Sequence, residues 1–196
     1  MSARGLARAA LALSALWALA ACGVIGGTAL TDAQQVIADM KIGPAHPTGT
    51  NLKITGTVDH ADRRYRVGEP ISLSVEVSKA AFVAVLRVLP NGVTTLIFPN
   101  RERAMAQVPA NSPLRIPEPG ARLTITADKP GVVLFEFLAA RGGRSWLFNR
   151  KPEGAADFAE LGTTTHVLAK DIVQSLGAGR GGDAAAMHLT VRAEGD

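Results

Sequence analysis

Three apolar runs of strand length follow one another between Tyr65 and Asn100, and they limit the chain to a β-rich fold. Ile71, Leu73, Val75 and Val77 alternate with Ser72, Ser74, Glu76 and Ser78. A period of two places one face of a strand in a core and the other in water. The second run, Ala81 to Leu89, is apolar throughout except for Arg87. After Pro90-Asn91-Gly92 comes the third run, Val93 to Phe98. Proline presets φ for a turn and glycine tolerates a positive φ, so the last two runs are expected to form a β-hairpin.

Similar patterns recur on either side. Leu52, Ile54 and Val58 alternate with Lys53, Thr55 and Thr57, and Leu123 and Ile125 alternate with Arg122, Thr124 and Thr126. Val132 to Ala139 sets Phe135 and Phe137 on one face, and Met187, Leu189 and Val191 alternate with His188, Thr190 and Arg192. Pro113 to Pro117 is extended because a proline brackets each end. Arg101 to Asn111 reads as a polar loop and Pro152 to Gly162 as irregular chain. Between His166 and Leu176, the residues Val167, Ile172, Val173 and Leu176 have helical spacing, with Gly177 as the C-cap. The expected fold is mainly β: an antiparallel immunoglobulin-like β-sandwich of about seven strands with one late helix, over residues 51–196. Apolar residues make up 47% of the chain but aromatic ones only 5%, so such a core must be aliphatic.

The N-terminus carries a different kind of signal. Residues 1–21 have a positive start at Arg4 and Arg8, a short apolar stretch from Ala9 to Leu19, and then small residues. This is the pattern of a secretory signal peptide, too short for a comfortable transmembrane helix. Leu19-Ala20-Ala21-Cys22 resembles the lipobox of bacterial lipoproteins, and Cys22 is the only cysteine. A lone thiol in an exported chain has no internal disulfide partner, and lipidation accounts for it. Gly23 rather than Asp after the cysteine implies the outer membrane. Residues 22–50 read as a flexible tether with one short helix, Asp32 to Met40, capped by Thr31 with Gln34 at the capping-box position.

The segment Tyr65 to about Leu138 resembles the family known as domain of unknown function 4384. The resemblance rests on Gly68-Glu69-Pro70 entering a strand, on Asn91-Gly92 leading to Leu96-Ile97-Phe98-Pro99-Asn100, and on Ile116-Pro117-Glu118-Pro119-Gly120. It implies a bacterial, β-rich and often exported module, in larger members an accessory to kinase or peptidase domains. The family has no established catalytic residues to carry over. Where its members commonly place an aromatic pair, this chain has Phe82 alone.

Few side chains combine into a chemistry. The formal charge is +4, with Arg4 and Arg8 in the leader, which is too weak and too evenly spread for a nucleic-acid footprint. Asp59, His60 and Asp62 form the only local cluster of acid/base or ligand groups, and in a connection a charged solvated loop is the default reading of such a cluster. Ser145 lacks the second glycine of a nucleophile elbow. Gly177 to Gly182 fits G-x-G-x-x-G, but a helix precedes it and a strand follows, the reverse of a dinucleotide loop. The Arg141-Gly142-Gly143 and Arg180-Gly181-Gly182 triplets read as flexible loops. Trp146, Phe148 and Arg150 alternate, either as an aromatic-plus-cation binding patch or as a short strand completing the core.

These readings converge on a non-enzymatic, lipid-anchored outer-membrane protein facing the periplasm, without cofactor or metal. It would bind or scaffold another envelope component, held to the membrane through Cys22, with Trp146, Phe148 and Arg150 as candidate contacts. The alternatives are an accessory lipoprotein of a secretion machine, or an anchored enzyme or small-ligand or glycan binder. An enzyme would need Asp59, His60 and Asp62 to meet Arg87 or His188 in a pocket.

Overall fold

The computed structural model describes residues 29–42, 52–142, 145–176 and 183–195. The expected leader, Cys22 and the loop from Gly177 to Gly182 lie outside them. In chain order the elements are helix α1 (Asp32–Ala38) and strands β1 (Ile54–Val58), β2 (Arg64–Arg66), β3 (Leu73–Val77), β4 (Ala81–Val88), β5 (Thr94–Phe98), β6 (Gln107–Val108), β7 (Leu114–Ile116) and β8 (Gly131–Ala140). A 3-10 turn (Trp146–Asn149), β9 (Ala159–Glu160), helix α2 (Thr165–Leu176) and β10 (Ala184–Glu194) follow.

The strands β4 and β8 read as apolar runs, interrupted only by Arg87 and Glu136, because both of their faces are covered. On one face, Val83, Val85, Val133, Phe135 and Phe137 pack with Leu73, Val75 and Val77 of β3 and with Leu114 and Ile116 of β7. On the other, Ala84, Leu86, Val88, Leu134 and Leu138 pack with Ile37 of α1 and with Leu168 and Ile172 of α2. A strand buried on both sides needs no polar alternation. The protein is therefore mainly β and has three layers. A three-stranded sheet in the order β1-β3-β7 lies on a larger one in the order β2-β10-β8-β4-β5-β9, with β6 pairing β4. The helices cover the outer face of the larger sheet. Its pairings are antiparallel except for β2 with β10, which run parallel. The sheets approach closely at Gly56, where a Cβ would stand 2.7 Å from the Phe137 ring.

Two features of the expected sandwich are corrected. Ten strands are present among the described residues instead of about seven, while the two helices, α1 and α2, fall where helices were expected. Strands β2, β6 and β9 are two or three residues long, too short for a two-residue period to register. Conversely, the strand expected around Leu123 and Ile125 is reduced to a single bridge, Pro70 with Thr126. Leu123 and Ile125 are buried as their alternation requires, but Pro70 has no N–H with which to extend a ladder.

Helix α1 has its expected cap. The Thr31 Oγ1 accepts from the Gln34 amide at 3.4 Å, and the Gln34 Oε1 accepts from the Thr31 amide at 3.1 Å, a reciprocal capping box. Gln34 does more than the motif demands. Its Nε2 donates to the carbonyls of Val88 at 3.0 Å and Val132 at 2.7 Å, at the end of β4 and the start of β8. Gln34 and Ile37 are completely buried. This helix is part of the folded domain, although it falls within the segment expected to be a tether.

Candidate functional site

The 3-10 turn decides the fate of the Trp146, Phe148 and Arg150 triplet. The Ser145 Oγ accepts from the Leu147 amide, and the Asn149 side chain donates to the Ser145 carbonyl at 3.1 Å. With three residues per turn, residues two apart leave the axis in different directions. Alternation in sequence therefore does not become a shared face. Phe148 is buried against Phe82, with ring centroids 5.9 Å apart. Trp146 remains 39% exposed. Arg150 pairs with Glu153 at 2.9 Å in an exposed ion pair. Of the three, only Trp146 is available as an open aromatic contact.

Trp146 stands over an open groove of about 580 Å³ that it shares with Asp171, Gln174 and Ser175 of α2. Residues three and four apart on a helix lie on one face, so these three side chains are neighbours. The Ser145 and Ser175 hydroxyls meet at 2.9 Å, and Ser175 also donates to the Ile172 carbonyl at 3.0 Å. This fastens the turn carrying Trp146 to the helix carrying Asp171 and Gln174. Asp171 and Gln174 were missed from sequence because their i, i+3 spacing also describes any solvated helix face. A second groove, of about 660 Å³, lies at the other end of α2 and includes Ala33, Gly92 and Thr163 to Thr165. No aromatic ring lines it.

The Asp59, His60 and Asp62 cluster organises its own loop. Asp59 Oδ1 accepts from the Tyr65 hydroxyl at 2.7 Å and from the Ser72 amide at 3.0 Å. Partial burial acts to raise the Asp59 carboxyl, but these hydrogen bonds outweigh it and hold the group below the usual carboxylate range. The His60 ring stacks on Tyr65 at 4.4 Å, its Nδ1 faces the Arg64 carbonyl at 2.8 Å, and its Nε2 lies 3.6 Å from Glu69. The Arg64 carbonyl, then the nearby carboxylates, hold its pKa above the ordinary value. Asp62 accepts from the Arg64 amide at 3.1 Å. Burial and the bond to Asp59 keep the Tyr65 phenol well above its ordinary range.

Arg87 and His188 have other neighbours. Arg87 Nη1 donates to the Thr126 carbonyl at 2.8 Å. Burial lowers its pKa, opposed by Asp128. His188 is exposed on β10, directly across the ladder from Glu136 of β8. That glutamate is the most unusual ionisable group in the domain. It is buried, its Oε2 has no hydrogen-bond partner, and burial pushes its pKa up to about 9. Sequence reasoning placed it inside a strand and passed over it, since a single polar residue in an apolar run leaves its direction open.

Residues 64–141 match the model of a family described as a domain of unknown function (DUF4384). The chain resembles that family from β2 to the end of β8. The match leaves out α1, β1, the 3-10 turn, β9, α2 and β10. Strand β10 nevertheless lies between β2 and β8 in the sheet, so the matched segment is completed here by residues outside it. The Trp146 groove also lies wholly outside the match. Comparison with curated proteins and with solved structures found no match.

Proposed function

We propose that this chain is a lipid-anchored envelope protein whose β-sandwich domain, of immunoglobulin-like size, binds another envelope component without catalysis. The observation that carries this reading is the placement of Trp146 relative to the point where the chain enters the domain. A Cβ at Gly92 would lie 3.2 Å from the Ala33 Cβ and 3.9 Å from the Thr165 Cγ2. The start of α1 therefore adjoins the start of α2. Trp146 lies beside Ser175, ten residues further along α2, or about 15 Å at the helical rise. A tether attached at Thr31 thus meets the domain near the start of α2 and leaves the Trp146 groove near the other end of that helix.

Thr31 is nine positions beyond Cys22, a reach of at most about 30 Å. An acylated Cys22 would keep the attached end close to the outer membrane and turn the exposed indole towards the periplasmic space. Asp59, His60 and Asp62 bond to their own loop, so the observations favour binding over an enzyme built on them. The test is a crosslinking pull-down from membranes with the wild type, Cys22→Ala and Trp146→Ala. One envelope component recovered with the wild type and lost from both variants supports the proposal. Equal recovery with Trp146→Ala removes its basis.

A further inference from the structure

We infer that the groove between the 3-10 turn and α2 takes a saccharide. This rests on the reading of the domain as a binding module and gives its ligand a chemical class. The half-exposed indole of Trp146 offers a flat apolar surface against which the C–H face of a pyranose ring packs. The Asp171 carboxylate accepts hydrogen bonds, and the Gln174 amide both donates and accepts, which suits vicinal hydroxyls that do the same. Among the described residues, Asp171 and Gln174 are exposed and engage no other side chain. Ser175 differs: its bonds to Ser145 and to the Ile172 carbonyl make it the brace of the groove.

That brace holds the aromatic and polar walls at a fixed separation before any ligand arrives. Preorganisation removes part of the ordering cost that weakens ligand binding. A lysine-rich peptide, bound through the indole face and Asp171, is the competing occupant. Lys170 is exposed next to Asp171 and one helical turn before Gln174, so a cation already stands beside the single carboxylate in the chain. A groove lined by one carboxylate, an amide, a hydroxyl and an aromatic face suits a neutral polyhydroxylated ligand.

The chain has two tryptophans, Trp17 and Trp146, so Trp17→Phe makes the groove indole the sole reporter. The full chain with that change, purified in detergent, is titrated with a β-1,4-linked N-acetylglucosamine tetramer, a β-1,4-linked glucose tetramer and pentalysine. A saturable change in Trp146 emission is expected with at least one tetrasaccharide, weakened about tenfold or more by Asp171→Ala. Asp171 is exposed, so this variant keeps the fold. Silence with both tetrasaccharides, an unchanged affinity in Asp171→Ala, or a response to pentalysine alone overturns the inference. If the tetrasaccharides fail while the membrane crosslink still depends on Trp146, the saccharide falls and the binding module stands. If both fail, both readings fall.

Discussion

Replacing Glu136 with glutamine isolates one buried proton. Glu136 is 2% exposed in the middle of β8, facing the helical layer between Leu86 and His188 on the flanking strands. Burial holds its carboxyl near a pKa of about 9, against about 4.3 in an unfolded chain. At neutral pH the folded protein therefore keeps a proton that the unfolded chain releases. The sign follows from linkage. The folded pKa is the higher one, so this group penalises the fold least below about pH 4, increasingly as pH rises, and to a constant extent above about pH 9. With 1.36 kcal/mol per pKa unit, the cost at pH 7 is about 4 kcal/mol. Glu136→Gln preserves the shape and abolishes the titration. Its buried amide adds a pH-independent penalty of about 1–3 kcal/mol, which shifts the offset but not the slope. The variant should gain on the wild type by about 1 kcal/mol per pH unit between pH 5 and pH 8. Urea midpoints of the two proteins at each pH measure this, and their difference cancels the other titrating groups. Parallel stability profiles across that range would refute the reasoning.

Three further substitutions probe the packing. Gln34→Ala leaves two buried carbonyls without their donor and removes half of the capping box; we expect a loss of about 2–4 kcal/mol, read by urea denaturation. Gly56→Ala drives a methyl group into the Phe137 ring, 2.7 Å away, at a cost of about 1–3 kcal/mol, seen as a lower thermal midpoint. Tyr65→Phe removes the hydroxyl that donates to Asp59 and accepts from the His60 amide at 3.2 Å, worth about 1–2 kcal/mol. The same variant should soften acid sensitivity. Asp59 has a lowered folded pKa, so its contribution is present above about pH 4 and lost as pH falls through the folded value. Titrating stability between pH 5 and pH 2 in both proteins tests this.

Where side-chain periodicity alone determined an element, it was legible. The alternation from Leu73 to Val77, the hairpin turn at Asn91-Gly92 and the Thr31 cap stand in the structure as read. So does the presence of α2, although its buried face runs through Leu168, Ala169, Ile172 and Leu176 and leaves Val167 exposed. Each is a local matter of two to four residues. Whatever depended on a partner distant in the chain was not legible. The two-residue strands β6 and β9 exist because β4 and β5 present open edges to them. The Trp146 triplet failed as a shared face because Ser145 caps a turn of period three. The groove joins residues about 30 positions apart, and α2's polar stripe gives no hint of which ring stands above it.

The double bond of Gln34 to the sheet also has a mechanical meaning. Tension on the chain ahead of Thr31 enters the domain through α1. Its glutamine grips the end of β4 and the start of β8, two strands in the interior of the larger sheet. The load is thus delivered to the best-supported part of the molecule and bypasses the short peripheral strands β2 and β9. A pull strong enough to dislodge α1 would strip Ile37 from the core that also holds Leu86, Val88 and Leu134, so its failure would announce itself as newly exposed apolar surface.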